Sequence, residues 1–265
     1  MDIKQYLKRI GLNHNIDVTL DTLKKIHRQH LLTVPFENLD IHIKGELNTD
    51  SESLFKKIVK QNRGGICYEL NWLFHRLLKE IGFQTTVVGA KVASEKDNGT
   101  YFDHVVVIVD LNETKYLVDV GFGKHFLEPV TFVENSVYKD PKGLFKLVKK
   151  DDNLYVLTNY NEKSDSYKEA YTFKYEPKRI EDFNVRKTYY VKSDDSHFKK
   201  NLICSRETED GRISLKQDRV IITREGMKEQ YPVKTFNDYN HYLKQYFNIE
   251  LSEYEKEKLS SWYNQ

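Results

Sequence analysis

Two cysteines, Cys67 and Cys204, are the only thiols in this 265-residue chain. That is too few for a disulfide scaffold or a four-cysteine zinc site, and a reducing compartment would leave both free for chemistry. Neither sign of charge dominates. Basic residues number 42 and acidic residues 40, a net charge of +2, so nothing recommends nucleic acid or a membrane as the main partner. Long apolar runs are missing too. The purest, Val105 to Val109, has the length of a strand and falls far short of a membrane span. The opening residues, Met1-Asp-Ile-Lys-Gln, contain no apolar stretch of the kind a secretory signal needs, and a cytoplasmic protein is expected. No repeat or low-complexity linker interrupts the chain, and no tight His/Asp/Cys cluster recommends a metal. What is present is 39% hydrophobic, 13% aromatic and 31% charged residues, the composition of a folded, soluble globular chain.

Apolar spacing divides the chain into helices, then strands, then a mixed tail. Residues 3–10 form a short amphipathic helix stopped by Gly11. Thr19 is an N-cap for Leu20, Leu23, Ile26, His27 and Leu31 at helical spacing. Pro35 ends that run, and Pro35-Phe36-Glu37-Asn38-Leu39 reads as a loop. Asp50 or Ser51 caps a helix that turns Leu54, Phe55, Ile58 and Val59 inward. After Arg63-Gly64-Gly65, a strong helical face runs through Ile66, Leu70, Leu73, Phe74, Leu77, Leu78 and Ile81 to a stop at Gly82. The period then changes to strands at 83–92, 105–110, 116–120, 144–148, 154–159 and 167–175. Turn signals lie at Asp97-Asn98-Gly99, Asn112-Glu113 and Asp151-Asp152-Asn153. Segments 202–205, 213–216 and 220–223 continue the β pattern, with Asp210-Gly211 as a hairpin turn. Helices return at 236–246 and after Ser252-Glu253-Tyr254-Glu255, which has capping-box spacing. This order reads as α+β rather than a parallel βαβ sheet.

Three residues can carry chemistry together. Cys67 sits where a helix starts, and unpaired N–H groups and the positive dipole end there favour a thiolate. The alternative is a buried, inert cysteine, which base rates favour for a cysteine at an arbitrary position. His104 precedes the apolar strand, and Asp119 lies near the end of the next one. If the turn centres between Asn112 and Glu113, Val106 faces Asp119, and His104 and Asp119 are diagonal neighbours on one face. A slip of one residue would separate them. In the paired register Asp119 orients the imidazole and His104 takes the thiol proton. Taken singly, His104 as a strand-edge residue and Asp119 as a turn residue are the blander readings. Gly121-Phe122-Gly123 fits neither a Walker loop nor a dinucleotide fingerprint. It is a tight strand exit, or a place where an acyl carrier comes close to the backbone.

These stretches together resemble the arylamine N-acetyltransferase family. The matching pieces are Val34-Pro-Phe-Glu-Asn-Leu39, Arg63-Gly-Gly-Ile-Cys-Tyr-Glu-Leu-Asn71, His104 before its strand, and Val118-Asp-Val-Gly-Phe-Gly123. The resemblance is sharp over about the first half. It implies a papain-like cysteine proteinase core with an N-terminal helical bundle, a central antiparallel β-barrel and a C-terminal α/β lid, divided at 1–83, 84–192 and 193–265. It further implies acetyl-CoA as donor and ping-pong transfer to an arylamine or hydrazine. The family's nucleophile, base and orienting acid then fall on Cys67, His104 and Asp119. Its glycine loop near CoA and acceptor falls on Gly121, Phe122 and Gly123, and Phe36 is an acceptor-pocket wall together with Phe122. Two departures stand out. The stretch Ser193-Asp-Asp-Ser-His-Phe198 has no proline where such proteins often have one, and Ile66 stands where an aromatic is common. Glu37, Arg63 and Glu69 read as architectural, with Arg63 bridging a carboxylate from the Pro35 segment. The competing readings are a papain- or transglutaminase-like cysteine hydrolase or acyltransferase using another acyl donor, and a redox-sensing or binding module with a reactive thiol.

Overall fold

The computed structural model describes residues 1–12, 16–94, 99–124, 126–133 and 136–263. The chain opens with helices α1 (Ile3–Arg9) and α2 (Leu20–Thr33), then a two-residue strand β1 (Phe36–Glu37) and short helices α3 (Leu39–Ile43) and α4 (Ser51–Phe55). A π turn over Lys56–Lys60 prolongs α4, and α5 (Cys67–Ile81) follows. Next come β2 (Gln84–Val92), β3 (His104–Leu111), β4 (Thr114–Val118), β5 (Val130–Thr131), β6 (Val137–Asp140), β7 (Gly143–Asp151), β8 (Leu154–Asn161) and β9 (Ser166–Lys174). They form one barrel-like antiparallel sheet in the order β5-β4-β3-β2-β9-β8-β7-β6. Helices α6 (Asn184–Lys192) and α7 (His197–Lys200) lead to β10 (Ile203–Thr208), β11 (Gly211–Lys216), β12 (Arg219–Arg224) and β13 (Met227–Pro232). These pair in sequence, and β1 joins them at the β10 edge. The chain closes with α8 (Phe236–Phe247) and α9 (Glu253–Tyr263).

Local chemistry explains the element ends. The Thr19 hydroxyl accepts from Thr22 N–H at 3.2 Å and Asp50 accepts from Ser53 N–H at 2.8 Å, satisfying first-turn donors that have no helical partner. Ser252 and Glu255 cap each other's amides as the capping-box spacing predicts. The β3–β4 hairpin turns on Asn112 and Glu113, whose φ values are +49° and +62°. Two positive φ angles in a two-residue loop make the hairpin turn whose twist matches the flanking strands. That turn sets the register Val107↔Val118, Ile108↔Leu117, Val109↔Tyr116, the register centred between residues 112 and 113.

Helix α5 is the hub of the packing. It is buried on nearly every side, from Cys67 and Leu70 through Phe74 to Leu78, as expected of a helix inserted between layers rather than lying on a surface. Its apolar face joins α1, α2, the α4 turn and the inner residues of β3 and β4 in one core that includes Leu23, Ile58, Phe74, Val107 and Val118. A separate core lies between α8 and one face of the β10–β12 ladder, with Cys204, Leu215, Val220, Tyr239 and Phe247.

Several sequence expectations needed correction. The segment read as a loop, 35–39, holds β1 and the start of α3. Two residues carry no periodicity, and β1 exists only because Phe36 and Glu37 find Ser205 and Cys204 across the sheet and Phe36 bridges Gly65. The strand read as 116–120 stops at Val118, because the Asp119 amide turns away to a side chain described below. Strands β5, β6 and β13 and helix α6 were not visible in the sequence. β13 is exposed along its whole length and shows no alternation. For the turn signal at Asp97-Asn98-Gly99, the first two positions lie outside the described residues.

Candidate active site

The segment before α5 is held by buried charge. Arg63 donates to Glu37 at 3.0 Å, to Asp40 at 2.9 Å and to Glu255 of α9 at 3.0 Å. Lys57, carried inward by the π turn, reaches Glu69 at 2.7 Å and Asp40 at 3.1 Å. The carboxylates in turn hold backbone. Glu37 accepts from Gly64 N–H at 3.2 Å and Leu39 N–H at 2.7 Å, and Glu69 accepts from Ile66 N–H at 3.0 Å. Burial raises Glu37 and Asp40, but the two cations overcome it and hold both below the usual carboxylate range. Gly64 has no space for a side chain, since a Cβ there would sit 1.9 Å from the Pro35 carbonyl oxygen. The ion pair expected between Arg63 and the Pro35 segment is thus present, and Asp40, Lys57 and Glu255 extend it. Breaking a buried pair strands its partner's charge. Glu37→Gln and Arg63→Met should therefore each cost roughly 3–5 kcal/mol in urea unfolding. Their double-mutant cycle should show coupling of roughly 1–3 kcal/mol; strictly additive losses would mean the network is not cooperative.

That scaffold places Cys67 as the first residue of α5, where its own amide is among the N–H groups without a helical partner. Cys67, His104 and Asp119 are 4%, 2% and 2% exposed. His104 opens β3, and its Nε2 meets Asp119 Oδ2 at 2.8 Å. Cys67 is close enough to the imidazole to favour its charge, and the Cys67 thiol donates to the Asp103 carbonyl at 3.9 Å. Burial works against an imidazolium here, yet the Asp119 carboxylate and then Cys67 reverse that and push His104 up to about 10. Burial likewise works against the Asp119 charge, and His104, Asn71 and the Gly121 amide bring it down to about 2. The pair is therefore an imidazolium and a carboxylate across the neutral range.

Asp119 sits in a built cage. Its Oδ1 accepts from Asn71 Nδ2 at 2.8 Å and from Gly121 N–H at 3.0 Å. Asn71 lies one helical turn beyond Cys67 on the same face, and its Oδ1 accepts from Val120 N–H at 2.8 Å. The Tyr171 hydroxyl lies against the same carboxylate. His27 from α2 is fully buried, stacked on Phe126, and burial keeps it neutral. Its Nδ1 bonds the Leu127 carbonyl at 2.8 Å, so Nδ1 carries the hydrogen and Nε2 accepts from Asp119 N–H at 3.2 Å. One imidazole thus pins both ends of the 119–127 loop.

That loop places the remaining expected residues. A Cβ on Gly121 would fall 2.8 Å from Cys67 Cα and 2.7 Å from Asn71 Nδ2, so only glycine lets the loop close on the helix start. Phe122 sets its ring edge against His104, 5.1 Å between centroids. Gly123 lies under the Phe36 ring, which also meets Phe198 at 6.0 Å. The site therefore brings together Cys67, His104, Asp119, Gly121 and Phe122, with Phe36 and Gly123 at its edge. Sequence reading gave no role to Asn71, His27 or Tyr171. His27 did carry a signal, as a histidine at an inward position of α2, where His30 is buried as well. Among the described residues no group of three His, Cys, Asp or Glu could hold a metal ion, and no helix is long and apolar enough to cross a membrane.

Comparison with known proteins agrees with this geometry. Residues 19–256 match the family model described as N-acetyltransferase. The chain is 32% identical to the pineal gland isozyme of arylamine N-acetyltransferase from Gallus gallus, over 95% of each chain. Its structure is similar to the arylamine N-acetyltransferase of M. smegmatis, with a TM-score of 0.89 and 28% identity over 98% of both chains. It is also similar to an arylamine N-acetyltransferase of Bacillus cereus, with a TM-score of 0.85 and 29% identity, covering 95% of this chain and 100% of that one. The Bacillus cereus structure is described as having a Cys-His-Glu catalytic triad; this chain has the shorter carboxylate of Asp119 at the imidazole. A match over nearly the whole chain, on a fold that sets a cysteine at a helix start beside a histidine hydrogen-bonded to an aspartate, shows that this chain belongs to the arylamine N-acetyltransferase family.

Proposed function

We propose that Cys67 is the acetyl-carrying nucleophile of an acetyl-CoA-dependent N-acetylation of arylamines and arylhydrazines, with His104 as its base and Asp119 as the residue orienting that base. The observation that carries this reading is the single imidazole hydrogen-bonded to a buried carboxylate and set beside a thiol at a helix start. In the first half-reaction the Cys67 sulfur, its proton held on His104, attacks the acetyl thioester carbonyl. The Cys67 amide faces the developing oxyanion. The C–S bond to CoA breaks, and the imidazolium returns its proton to the leaving thiolate. In the second half an arylamine nitrogen attacks acetyl-Cys67, His104 takes the amine proton, and the sulfur departs as the anion, restoring the starting pair. Phe122 and Tyr171 around His104 and the low exposure of the triad keep water from competing. Phe36 and Phe122 are assigned as walls for the flat acceptor, and Gly121 and Gly123 as the close approach for the donor.

Division of labour follows the chain: 1–83 carries the nucleophile, 84–192 the base and its acid, and 193–265 covers the site from the other side. The test is a two-substrate initial-rate study. Acetyl-CoA and an arylamine should give parallel reciprocal plots and an acetamide product. Release of acetate at the same rate without amine would mark a hydrolase instead.

His27 provides a second check on positioning. His27→Leu removes both anchors of the 119–127 loop and should lower kcat by roughly two orders of magnitude, the cost of a misplaced catalytic group, with a small change in KM. His27→Gln, whose amide can both donate and accept, should recover part of the loss. Equal kcat in the leucine variant and the parent would show that the loop does not depend on this staple.

A further inference from the structure

Asp103, the residue before His104, has two polar ends with different tasks. Its carboxylate side chain is completely buried. Oδ1 lies 2.7 Å from Arg186 Nε, and Oδ2 accepts from Thr100 N–H at 2.9 Å and from Val92 N–H at 3.4 Å. Its main-chain carbonyl faces α5 and α6. That oxygen accepts from the Cys67 thiol at 3.9 Å, from the Tyr68 hydroxyl at 3.2 Å and from the Tyr190 hydroxyl at 3.5 Å. One residue therefore touches the nucleophile with its backbone and is gripped from α6 by its side chain.

Helix α6 supplies both grips. Arg186 and Tyr190 are four residues apart, on one face of the helix. The Arg186 guanidinium also lies over the Tyr189 and Tyr190 rings, at 4.3 and 4.8 Å from their centroids. That stacking fixes its plane and aims it at the carboxylate. From the other side the 100–103 turn is pressed onto β2. A Cβ on Gly89 would fall 2.0 Å from the Tyr101 carbonyl oxygen, so the turn lies flat against that strand. A buried ion pair adds little net stability over apolar packing. What it adds here is direction.

Direction matters because a carbonyl oxygen beside the reacting sulfur can help or hinder. It receives the thiol proton in the resting state. Once Cys67 is deprotonated or acetylated, the sulfur no longer donates, and the same oxygen faces a nucleophile or its acyl group. The Tyr68 and Tyr190 hydroxyls keep it satisfied, provided that it stays where they reach it. We propose that Arg186 and Asp103 are positioning residues for acetyl transfer: their ion pair fixes the Asp103 carbonyl at the Cys67 sulfur and, with it, the start of the strand that carries His104. This rests on the acetyl-Cys67 reading above.

The test is kcat per acetylatable site, with the acetyl-enzyme formed from acetyl-CoA alone counting the folded sites of each variant. Arg186→Met strands the Asp103 carboxylate and frees the turn. Its kcat per site should fall roughly tenfold or more, with KM for acetyl-CoA and for the arylamine moving less than about threefold. Arg186→Lys keeps the charge without the planar fork and should recover part of that loss. Tyr190→Phe leaves the ion pair whole, removes one donor from the carbonyl, and should lower kcat per site by roughly threefold, the value of one weak hydrogen bond. Thermal melting reads the structural cost separately. If the methionine variant does not fold, the lysine and phenylalanine variants carry the test. Lower melting temperatures with parental kcat per site would make the pair structural only and overturn the proposal. A parent enzyme that forms no acetyl-enzyme would instead overturn the acetyl-Cys67 reading beneath it.

Discussion

Replacing Cys67 by Ser should lower acetyl transfer by roughly four orders of magnitude, the scale seen when a covalent nucleophile is removed from a triad. The hydroxyl fits the site, because oxygen is smaller than sulfur and its neighbours are the His104 ring and the Asp103 carbonyl. Folding should therefore survive, with a melting temperature near that of the parent. What is lost is a polarisable sulfur nucleophile that makes a labile acyl linkage. The other thiol cannot substitute. Cys204 is fully buried in the core under α8, and burial pushes its thiol well up. Near-parental turnover by the serine variant would remove the covalent intermediate from the account.

Asp119→Asn should be almost as damaging, by roughly three to four orders of magnitude in kcat, with substrate binding little changed. The cage explains the severity. Oδ1 of Asp119 receives two donors, from Asn71 and the Gly121 amide, and Oδ2 receives a third from His104. An asparagine has one oxygen, so its NH₂ must face either the imidazole N–H or the Asn71 and Gly121 donors, and either choice leaves a buried group unsatisfied. The pH profile should move as well. His104 is raised to about 10, so its charge with Asp119 persists up to that pH and is lost above it. Its contribution to stability is complete below the ordinary imidazole pKa of about 6.5 and fades as pH rises toward 10. Asp119 is lowered to about 2, so its contribution is present above the ordinary carboxylate range and is lost as pH falls toward 2. Activity in the parent should hold into the alkaline range, and the asparagine variant should lose that limb at lower pH. Asp119→Glu separates charge from placement. It restores the charge, but the extra methylene crowds a cage fixed by Asn71 and His27. It should keep the alkaline limb at a reduced kcat.

The site was legible in the sequence where short-range chemistry determines it. Two glycines ahead of Cys67 mark the helix start; the β3–β4 register stayed open in the sequence, and of the registers it allowed the ladder adopts the one centred between Asn112 and Glu113. The Arg63 to Glu37 pair was legible as two opposite charges beside chain breaks. What surrounds them was not, because it depends on segments far apart in the chain. Glu37 enters a strand only through β10, more than 160 residues later. His27 meets Asp119 across 92 residues, and Glu255 reaches Arg63 across 192. Lys57 reads as a surface residue on a regular helix, and only the π turn carries it inward to Glu69 and Asp40.

The most direct measurement is intact mass of the reduced protein after mixing with acetyl-CoA in the absence of acceptor, followed by peptide fragmentation to locate the label. One acetyl group on Cys67, absent from the Cys67→Ser variant and discharged by adding an arylamine, is the predicted result. Full transferase activity with no acetyl group on residue 67, or with the label on another residue, would contradict a mechanism that passes the acyl group through this sulfur.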